Sequence, residues 1–414
     1  MFFNIMGNTI ALGVSPNLQT DDIILARTLL FAPWKWKNSD SLQGLSSWFK
    51  NRYHTKDTYF FNAGRAALYF LLVSAGVSIG DEVLVQSFTC VAAIEPVLWV
   101  GATPLYVDIE KETLNMSLTD ARKKITASTK VIILQHTFGV PADLASFRSF
   151  ADANNILLIE DCAHALGATS GRFEVGTVGD AAFFSFGRDK VVSSVFGGAA
   201  VVKNERKFPR RDELYTGIPE PSFFWVLQQL IHPVFFSFLL PLYHSLFGKL
   251  LLVFFQKLRL LSLPYAKEEY RGKKPGGYPK RLSPALARLA LHQLEKVDKM
   301  NSQRKKIASS YGPTRIGAIY LRYPLLTTSA DLMLRRARER GIILGRWYSH
   351  VIDPKGVSLK DVGYKRGSCK EAETVASQII NLPTYPRMSE EEVQRVVQFI
   401  TSFKKTAGFS PQMN

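Results

Sequence analysis

Two runs of this chain, KVIILQH (130–136) and NILLIED (155–161), are apolar at successive positions rather than at alternate ones. A strand that is apolar on both faces must be covered on both faces, which is the condition of a parallel sheet flanked by crossover helices. The flanking sequence fits that condition. From Thr58 to about Val202, helix-like and strand-like runs alternate with short turns between them. GRAALYFLLVSAGV (64–77) and VAAIEPVLWVG (91–101) read as helices; EVLVQ (82–86), TPLYVDI (103–109), AAFFSF (181–186) and GGAAVV (197–202) read as strands. The predicted class is therefore α/β, with a mostly parallel sheet. After Pro284 the pattern becomes amphipathic, and ALARLALHQLEKVDKMNSQRKKIASSY is predicted as one long helix. A smaller α+β unit follows, closed by the helix EEEVQRVVQFITSFKK. The expected organisation is an N-terminal helical segment (1–57), a large sheet-bearing domain (58–205), a basic-flanked hydrophobic insert (206–281) and a small C-terminal domain (282–414).

The insert stands out by composition. Phe223 to Phe255 carries one charged residue, Lys249, and has the length of a membrane span. Pro233, Pro241, His232, His244 and Gly248 interrupt it, so two broken helices dipping into one leaflet are expected rather than one crossing. A buried hairpin or an oligomer interface is the alternative. Much of the formal charge of +17 lies on either side, in KNERKFPRR (203–211) and RGKKPGGYPKR (271–281). Basic residues flanking an apolar run suit an anionic lipid surface better than a duplex, and no recognition motif accompanies the charge, so no nucleic acid is expected. Three separated cysteines, Cys90, Cys162 and Cys369, form neither a disulfide framework nor a metal-ligand spacing. The first residues lack a basic n-region. A cytoplasmic protein, peripheral at the inner face of the cell membrane, is the expectation.

Chemistry is concentrated at strand ends. Asp161 ends a buried strand in LIEDCAHALGA, where ligand crevices form in open α/β sheets, although for an isolated aspartate there a helix cap is the favoured reading. Downstream, FSFGRDK places Ser185 at a strand end and Lys190 in the turn that follows. An amine, a carboxylate, a hydroxyl and a glycine-opened helix are the groups pyridoxal 5'-phosphate requires. The amine condenses with its aldehyde, the carboxylate keeps the pyridine nitrogen protonated, and a helix N-terminus holds phosphate. Gly64 and Arg65, opening the helix in FNAGRAAL, and Ser185 can form the phosphate cradle. Phe88 in VQSFTC is the candidate aromatic cover for the ring, with burial in the core as its alternative.

NAGRAAL, GDEVLVQSFTCVAAIEPVLWVGATPLYVDI, HTFGVPADL, LIEDCAHALGA, GDAAFFSFGRDK with GGAAVV, KRLSPALARLALHQLEKVD and INLPTYPRMSEEEVQRVV, in this order, resemble the DegT/DnrJ/StrS sugar aminotransferases. The resemblance covers nearly the whole chain except the insert and the extreme N-terminus. It implies a fold type I transferase with a seven-stranded sheet and pyridoxal phosphate as cofactor. It also implies Lys190 as the covalent anchor and proton carrier, Asp161 at the pyridine nitrogen and His164 near the phenolic oxygen. Ser185 with the Gly64–Arg65 backbone falls at the phosphate, and Phe88 at the stacking position. GIILGRWYSHVIDP (341–354) resembles the segment that closes over substrate, making Arg346, Tyr348 and His350 candidate substrate contacts.

The implied reaction moves an amino group, with glutamate as donor, to a keto sugar carried on a nucleotide or a lipid, in cell-surface glycan or polysaccharide biosynthesis. A homodimer with shared active sites is implied too. A lysine at 190 separates the chain from the family's dehydratases, which carry histidine there. Two departures motivate an alternative, a membrane-attached pyridoxal-phosphate protein without turnover. Phe196 replaces a glutamate, and Pro279 stands where a partner-subunit asparagine completes the phosphate site, leaving Lys280 or Arg281 as substitutes. In the turn itself, Arg188 is expected to face solvent rather than phosphate.

Overall fold

The computed structural model describes residues 10–12, 17–55, 57–242, 246–258 and 260–407. Its centre is a seven-stranded sheet, built from β1 (Asp57–Phe61), β2 (Glu82–Gln86), β3 (Thr103–Val107), β4 (Thr129–Gln135), β5 (Leu157–Asp161), β6 (Ala181–Ser185) and β7 (Gly198–Val202). Across the sheet the order is β1-β7-β6-β5-β4-β2-β3. Only β7 runs against the others, pairing antiparallel with β1 and β6. The continuous apolar runs take the central places: β4 and β5 are buried along nearly their whole length, with separate apolar clusters on the two faces. Ile132, Leu134 and Leu158 point into one cluster; Val131, Ile133 and Ile159 point into the other. That division is the period-2 alternation of a strand covered on both sides.

Crossover helices Gly64–Ser74, Val91–Trp99 and Leu144–Ala153 sit where the sequence places them. The long helix expected after Pro284 does not form as one piece. It is split into Pro284–Leu294 and Val297–Ser309. At Lys296 the backbone leaves helical geometry (φ −115°, ψ 9°), and the Lys296 amine meets Asp21 at 2.7 Å and Asp22 at 3.0 Å on the Thr20–Leu30 helix. A C-terminal unit follows, with the antiparallel pair Tyr323–Leu326 and Ile379–Leu382 and the closing helix Glu390–Ala407.

The apolar insert differs from its expectation. Its first helix, Phe223–Leu242, runs unbroken through Pro233, and a second spans Leu246–Lys257. Val226 and Leu230 of the first helix join the main apolar cluster, which also contains Ala26 and Leu29 of the Thr20–Leu30 helix. Gln229, His232 and Leu239 are buried as well. One side of the insert is therefore part of the body of the protein. Its other side leaves Phe224, Phe238, Leu250, Val253, Phe254 and Leu258 exposed. Among the described residues no helix is long and apolar enough to cross a membrane.

Candidate active site

Parallel neighbours end together, so three strand ends deliver side chains to one place. Register pairs Gln135 with Asp161 and Asp161 with Phe183, setting Gln135, Asp161 and Ser185 along one edge. On the other side of Ser185, β7 pairs Gly198 with both Ser185 and Phe61, bringing the turn at Asn62–Ala63 and the N-terminus of the Gly64–Ser74 helix alongside. Glycine is needed twice for this approach. A Cβ at Gly64 would meet the Ser185 Cβ at 2.8 Å, and one at Gly198 would meet backbone atoms of Ala63 and Gly64 at 2.6 Å. The helix start carries no side-chain cap, so its first N–H groups face the same concavity.

The FSFGRDK stretch explains itself in this setting. Phe184 and Phe186 are fully buried, with Phe184 packed edge-on to Phe49 at 5.2 Å, and they fix the strand from which the turn springs. The turn is then tied from elsewhere in the chain. Asn17 donates to the Lys190 carbonyl. The fully buried Arg304 donates to Asn17 (2.9 Å) and to the Val191 carbonyl (2.7 Å), and Gln293 accepts from the Ser193 N–H at 2.7 Å. Asp189 pairs with Arg322 at 2.7 Å.

Lys190 Nζ lies 2.9 Å from His164 Nε2. Burial, then the charges of Lys190 and Arg322, push His164 well below the usual histidine range. Its ring is thus neutral, with a nitrogen able to accept a lysine N–H. Asp161 accepts from the Ala163 N–H at 3.0 Å. Burial pushes its carboxyl up, and that hydrogen bond and the Lys190 charge offset the effect only in part. For Asp189 burial raises the pKa, but Lys190 and Arg322 overcome it and hold the carboxyl below the ordinary range.

One pocket gathers Gly64, Arg65, Asp161, His164, Ser185, Lys190 and Tyr348 from the sequence candidates. Counting its open mouth, it encloses about 830 Å³. Phe88 does not line it. With φ at 61° its ring turns into the core, edge-on to Tyr348 at 5.4 Å and to Phe138 at 6.0 Å, so the core alternative describes its position. Arg346 is outside the pocket, paired with Asp331, and His350 is outside it, bonded to its neighbour Ser349 at 2.9 Å.

Arg188 corrects another expectation. It lines the pocket instead of facing solvent, because Ser262 accepts its Nη2 through the carbonyl at 2.8 Å and the hydroxyl at 2.7 Å. Pro279 and Lys280 do not line the pocket of their own chain, and Arg281 is held by the Tyr215 and Thr216 carbonyls at 3.1 and 3.0 Å. Arg65 offers its backbone to the helix start, while its guanidinium is paired with Glu269.

Sequence reasoning missed Gln135, Thr89, Cys90 and Tyr265, all of which line the pocket. Gln135 was findable, being the polar residue that ends a buried strand. Tyr265 was not, because its place depends on a loop that returns from the insert to set its hydroxyl 3.0 Å from the Cys90 thiol. A second buried group, His136 with Glu160 and Cys162, lies off the pocket wall. Glu160 accepts N–H groups from Gly176, Val178 and Gly179 at 2.7 to 2.8 Å and contacts His136 Nε2 at 3.2 Å, while His136 Nδ1 accepts from Ala142 at 3.0 Å. Their bonding capacity goes into holding loops.

The donor set suits pyridoxal phosphate. An amine, a buried carboxylate and a hydroxyl converge beside a helix N-terminus, and the glycine at that terminus leaves space a methyl group would fill. Fold and site together are those of an α/β aminotransferase of fold type I. The model of the DegT/DnrJ/EryC1/StrS aminotransferase family matches residues 17–214 and 255–401, leaving 215–254 between the two matched stretches. The chain belongs to this family and is an aminotransferase. It is 26% identical to GDP-perosamine synthase of Escherichia coli O157:H7 over 398 residues, 94% of this chain and 97% of that protein. Over 149 residues, 36% of this chain and 40% of the relative, it is 37% identical to UDP-N-acetyl-3-dehydro-alpha-D-glucosamine 3-aminotransferase of Acidithiobacillus ferrooxidans. The crystal structure of NtdA from Bacillus subtilis with bound PMP superposes with a TM-score of 0.70 at 19% identity, covering 96% of this chain and 86% of that one.

Proposed function

We propose that this protein is a pyridoxal-phosphate-dependent sugar aminotransferase that moves an amino group from glutamate to a keto sugar carried on a nucleotide or a lipid carrier. The observation that carries the reading is the 2.9 Å approach of Lys190 to His164 in a pocket that also holds Asp161 and Ser185. The names of the two relatives, which act on GDP- and UDP-linked sugars, support a nucleotide-linked acceptor, and the PMP in NtdA supports the cofactor.

When bound, the cofactor supplies an aldehyde that takes up the donor nitrogen and a pyridine ring that draws electrons from the reacting carbon. The chain supplies the rest. Asp161 would accept the N–H of the ring nitrogen and keep that nitrogen protonated, since an anionic carboxylate raises the pKa of a base beside it. Lys190 Nζ would hold the aldehyde, and as a free amine would move a proton at the reacting carbon. His164 accepts from Lys190 and keeps the amine aimed at the pocket. Ser185 and the uncapped start of the Gly64–Ser74 helix hold the phosphate. Tyr348 closes the wall nearest His164, the two rings 6.3 Å apart and near parallel.

We assign the protein to homodimers on the strength of its family resemblance, and its exposed insert face to the surface of an anionic membrane. Exposed Phe238, Leu250, Val253 and Phe254 supply the apolar contact, and the basic stretch after them supplies the charge. Substituting those four by serine should abolish sedimentation with anionic vesicles while leaving the pocket intact. Equal sedimentation of both proteins refutes the assignment, and loss of the dimer instead identifies the face as a subunit contact.

The functional test follows bound cofactor. Glutamate should convert the aldehyde form to pyridoxamine phosphate, and a panel of nucleotide-linked keto sugars should restore it. Protein that gains no visible absorbance with pyridoxal phosphate, or that gains it and then ignores amino donors, refutes the reading.

A further inference from the structure

Arg188 is an arginine in a tight turn that the fold has drawn partly out of water, its Nε fully so. Its Nη2 spends its bonds on Ser262, at 2.8 Å to the carbonyl and 2.7 Å to the hydroxyl. Ser262 is in turn fixed by donating to Gln229 Oε1 at 2.7 Å. Gln229 is fully buried on the first insert helix and donates to the Trp225 carbonyl at 2.9 Å. Beneath the guanidinium, 5.2 Å from its centre, lies the ring of Phe196, which is backed edge-on by Trp225 at 5.7 Å. Thus two residues of the first insert helix, Gln229 through Ser262 and Trp225 through Phe196, hold one side chain of the lysine turn against the pocket wall.

That side chain lacks a counter-charge. Among the described residues Arg188 has no ion-pair partner, because the adjacent carboxylate, Asp189, is taken by Arg322 at 2.7 Å. Its buried Nε has no acceptor. Burial pushes its pKa down to about 10, against the opposing charge of Asp189. A guanidinium desolvated and left with an unanswered N–H is costly unless an anion completes it. Around it in the pocket stand Gly187, Ser185 and Gly64. A Cβ on Gly187 would lie 3.5 Å from the Ser185 hydroxyl, and one on Gly64 3.2 Å from it, so hydroxyl, helix start and the Gly187–Arg188 turn close on one small space. Arg65, the other arginine lining the pocket, is already paired with Glu269 and has Glu95 nearby.

We propose that Arg188 is the cationic member of the cofactor-phosphate cradle, and that the first insert helix serves the active site by holding this arginine in place through Ser262 and Phe196. The inference rests on the reading that pyridoxal phosphate occupies the pocket, and adds to it a residue and a task for the insert. It separates two roles within one segment: the buried side of the helix supports the cradle, and the exposed side is free for the membrane.

The test compares two aldehydes that differ only in the phosphate. Apoprotein is titrated with pyridoxal phosphate and with pyridoxal, following visible absorbance, for wild type, Arg188→Gln, Arg188→Lys and Ser262→Ala. Losing a charge-assisted bond to phosphate should weaken pyridoxal phosphate about 10- to 100-fold in Arg188→Gln and leave pyridoxal within about twofold. Arg188→Lys should recover part of the loss, and Ser262→Ala, which frees the arginine without removing it, should fall between. Inorganic phosphate should compete with pyridoxal phosphate in wild type at concentrations that have no effect on Arg188→Gln. Equal weakening for both aldehydes, or none, overturns the proposal while leaving the cofactor reading in place. Wild-type protein that takes up neither aldehyde overturns the cofactor reading and the proposal with it.

Discussion

Replacing Gly64 by alanine puts the cradle under a measurable strain. The new Cβ would lie 2.8 Å from the Ser185 Cβ, against an ordinary contact starting at 3.4 Å, so the strand end and the helix start must separate by about 0.6 Å, the difference of the two. Overpacking of this kind costs about 1–3 kcal/mol, and alanine returns up to about 1 kcal/mol through its better helix propensity. The net effect on folding is about 0–3 kcal/mol, a fall of no more than several degrees in Tm. The effect on the cofactor should be larger. A phosphate held jointly by the helix N–H groups and the Ser185 hydroxyl loses one of them when they part, and a hydrogen bond to a charged group is worth about 1.5–3 kcal/mol, or about 10- to 150-fold in Kd. Titration of the apoprotein with pyridoxal phosphate, with pyridoxal as the control and Tm measured in parallel, reads both quantities. If Gly64→Ala keeps the affinity of the wild type for pyridoxal phosphate, the helix start and Ser185 are not the phosphate site, and the reasoning from the close approach is wrong.

Borohydride reduction of the loaded protein should label the peptide containing Lys190, and Lys190→Ala should be unlabelled and slower in amino transfer by at least about 100- to 10,000-fold; a label on another lysine overturns the assignment. Asp161 is raised in the folded state, chiefly by burial, so the folded chain holds that proton more tightly than the unfolded one. Stability from this group is then greatest in acid and declines as pH rises through the window above the ordinary carboxylate value. Asp161→Asn apoprotein should therefore melt above wild type at pH 7 and converge with it in acid, and a lower Tm at pH 7 contradicts this. Glu160 has the opposite sign. Burial raises its pKa, but the His136 contact and the Gly179 and Gly176 N–H groups overcome it and leave it lowered. Its stability is present above the unfolded pKa and lost as pH falls. Glu160→Gln should cost about 1–3 kcal/mol at pH 7, because an amide cannot accept from every donor the carboxylate serves, and should flatten the acid limb of the stability profile.

The site is legible in the sequence where it is local. Asp161, His164, Ser185 and Lys190 sit at strand ends or in the turn just after, and a strand's boundaries and direction follow from its apolar run, so their convergence follows from the sheet. Residues whose place depends on long-range packing were misread or missed. Phe88 has an aromatic's sequence signature whether it covers a ring or fills the core, and only the backbone at φ 61° sends it inward. The charge of Arg188 argues for water, and two partners, the hydrogen-bonded Ser262 and the stacked Phe196, themselves backed by Gln229 and Trp225, outweigh it. Pro233 argues for a broken helix, yet Phe223–Leu242 is continuous, with Val226 and Leu230 before the proline and Phe235 and Leu239 after it packed on apolar neighbours, as tertiary contacts commonly override a local preference.

Hydrophobic periodicity by itself determined the parallel sheet, the crossover helices and the edge on which the lysine and the aspartate meet, because a strand covered on both faces has few ways to pack. Tertiary structure alone decided which side of the insert is buried, that Arg188 turns into the pocket and that Tyr265 returns to line it. Those outcomes depend on hydrogen bonds and ring contacts between residues tens to hundreds of positions apart, and no local pattern encodes which of several polar or aromatic side chains will find a partner across such a distance.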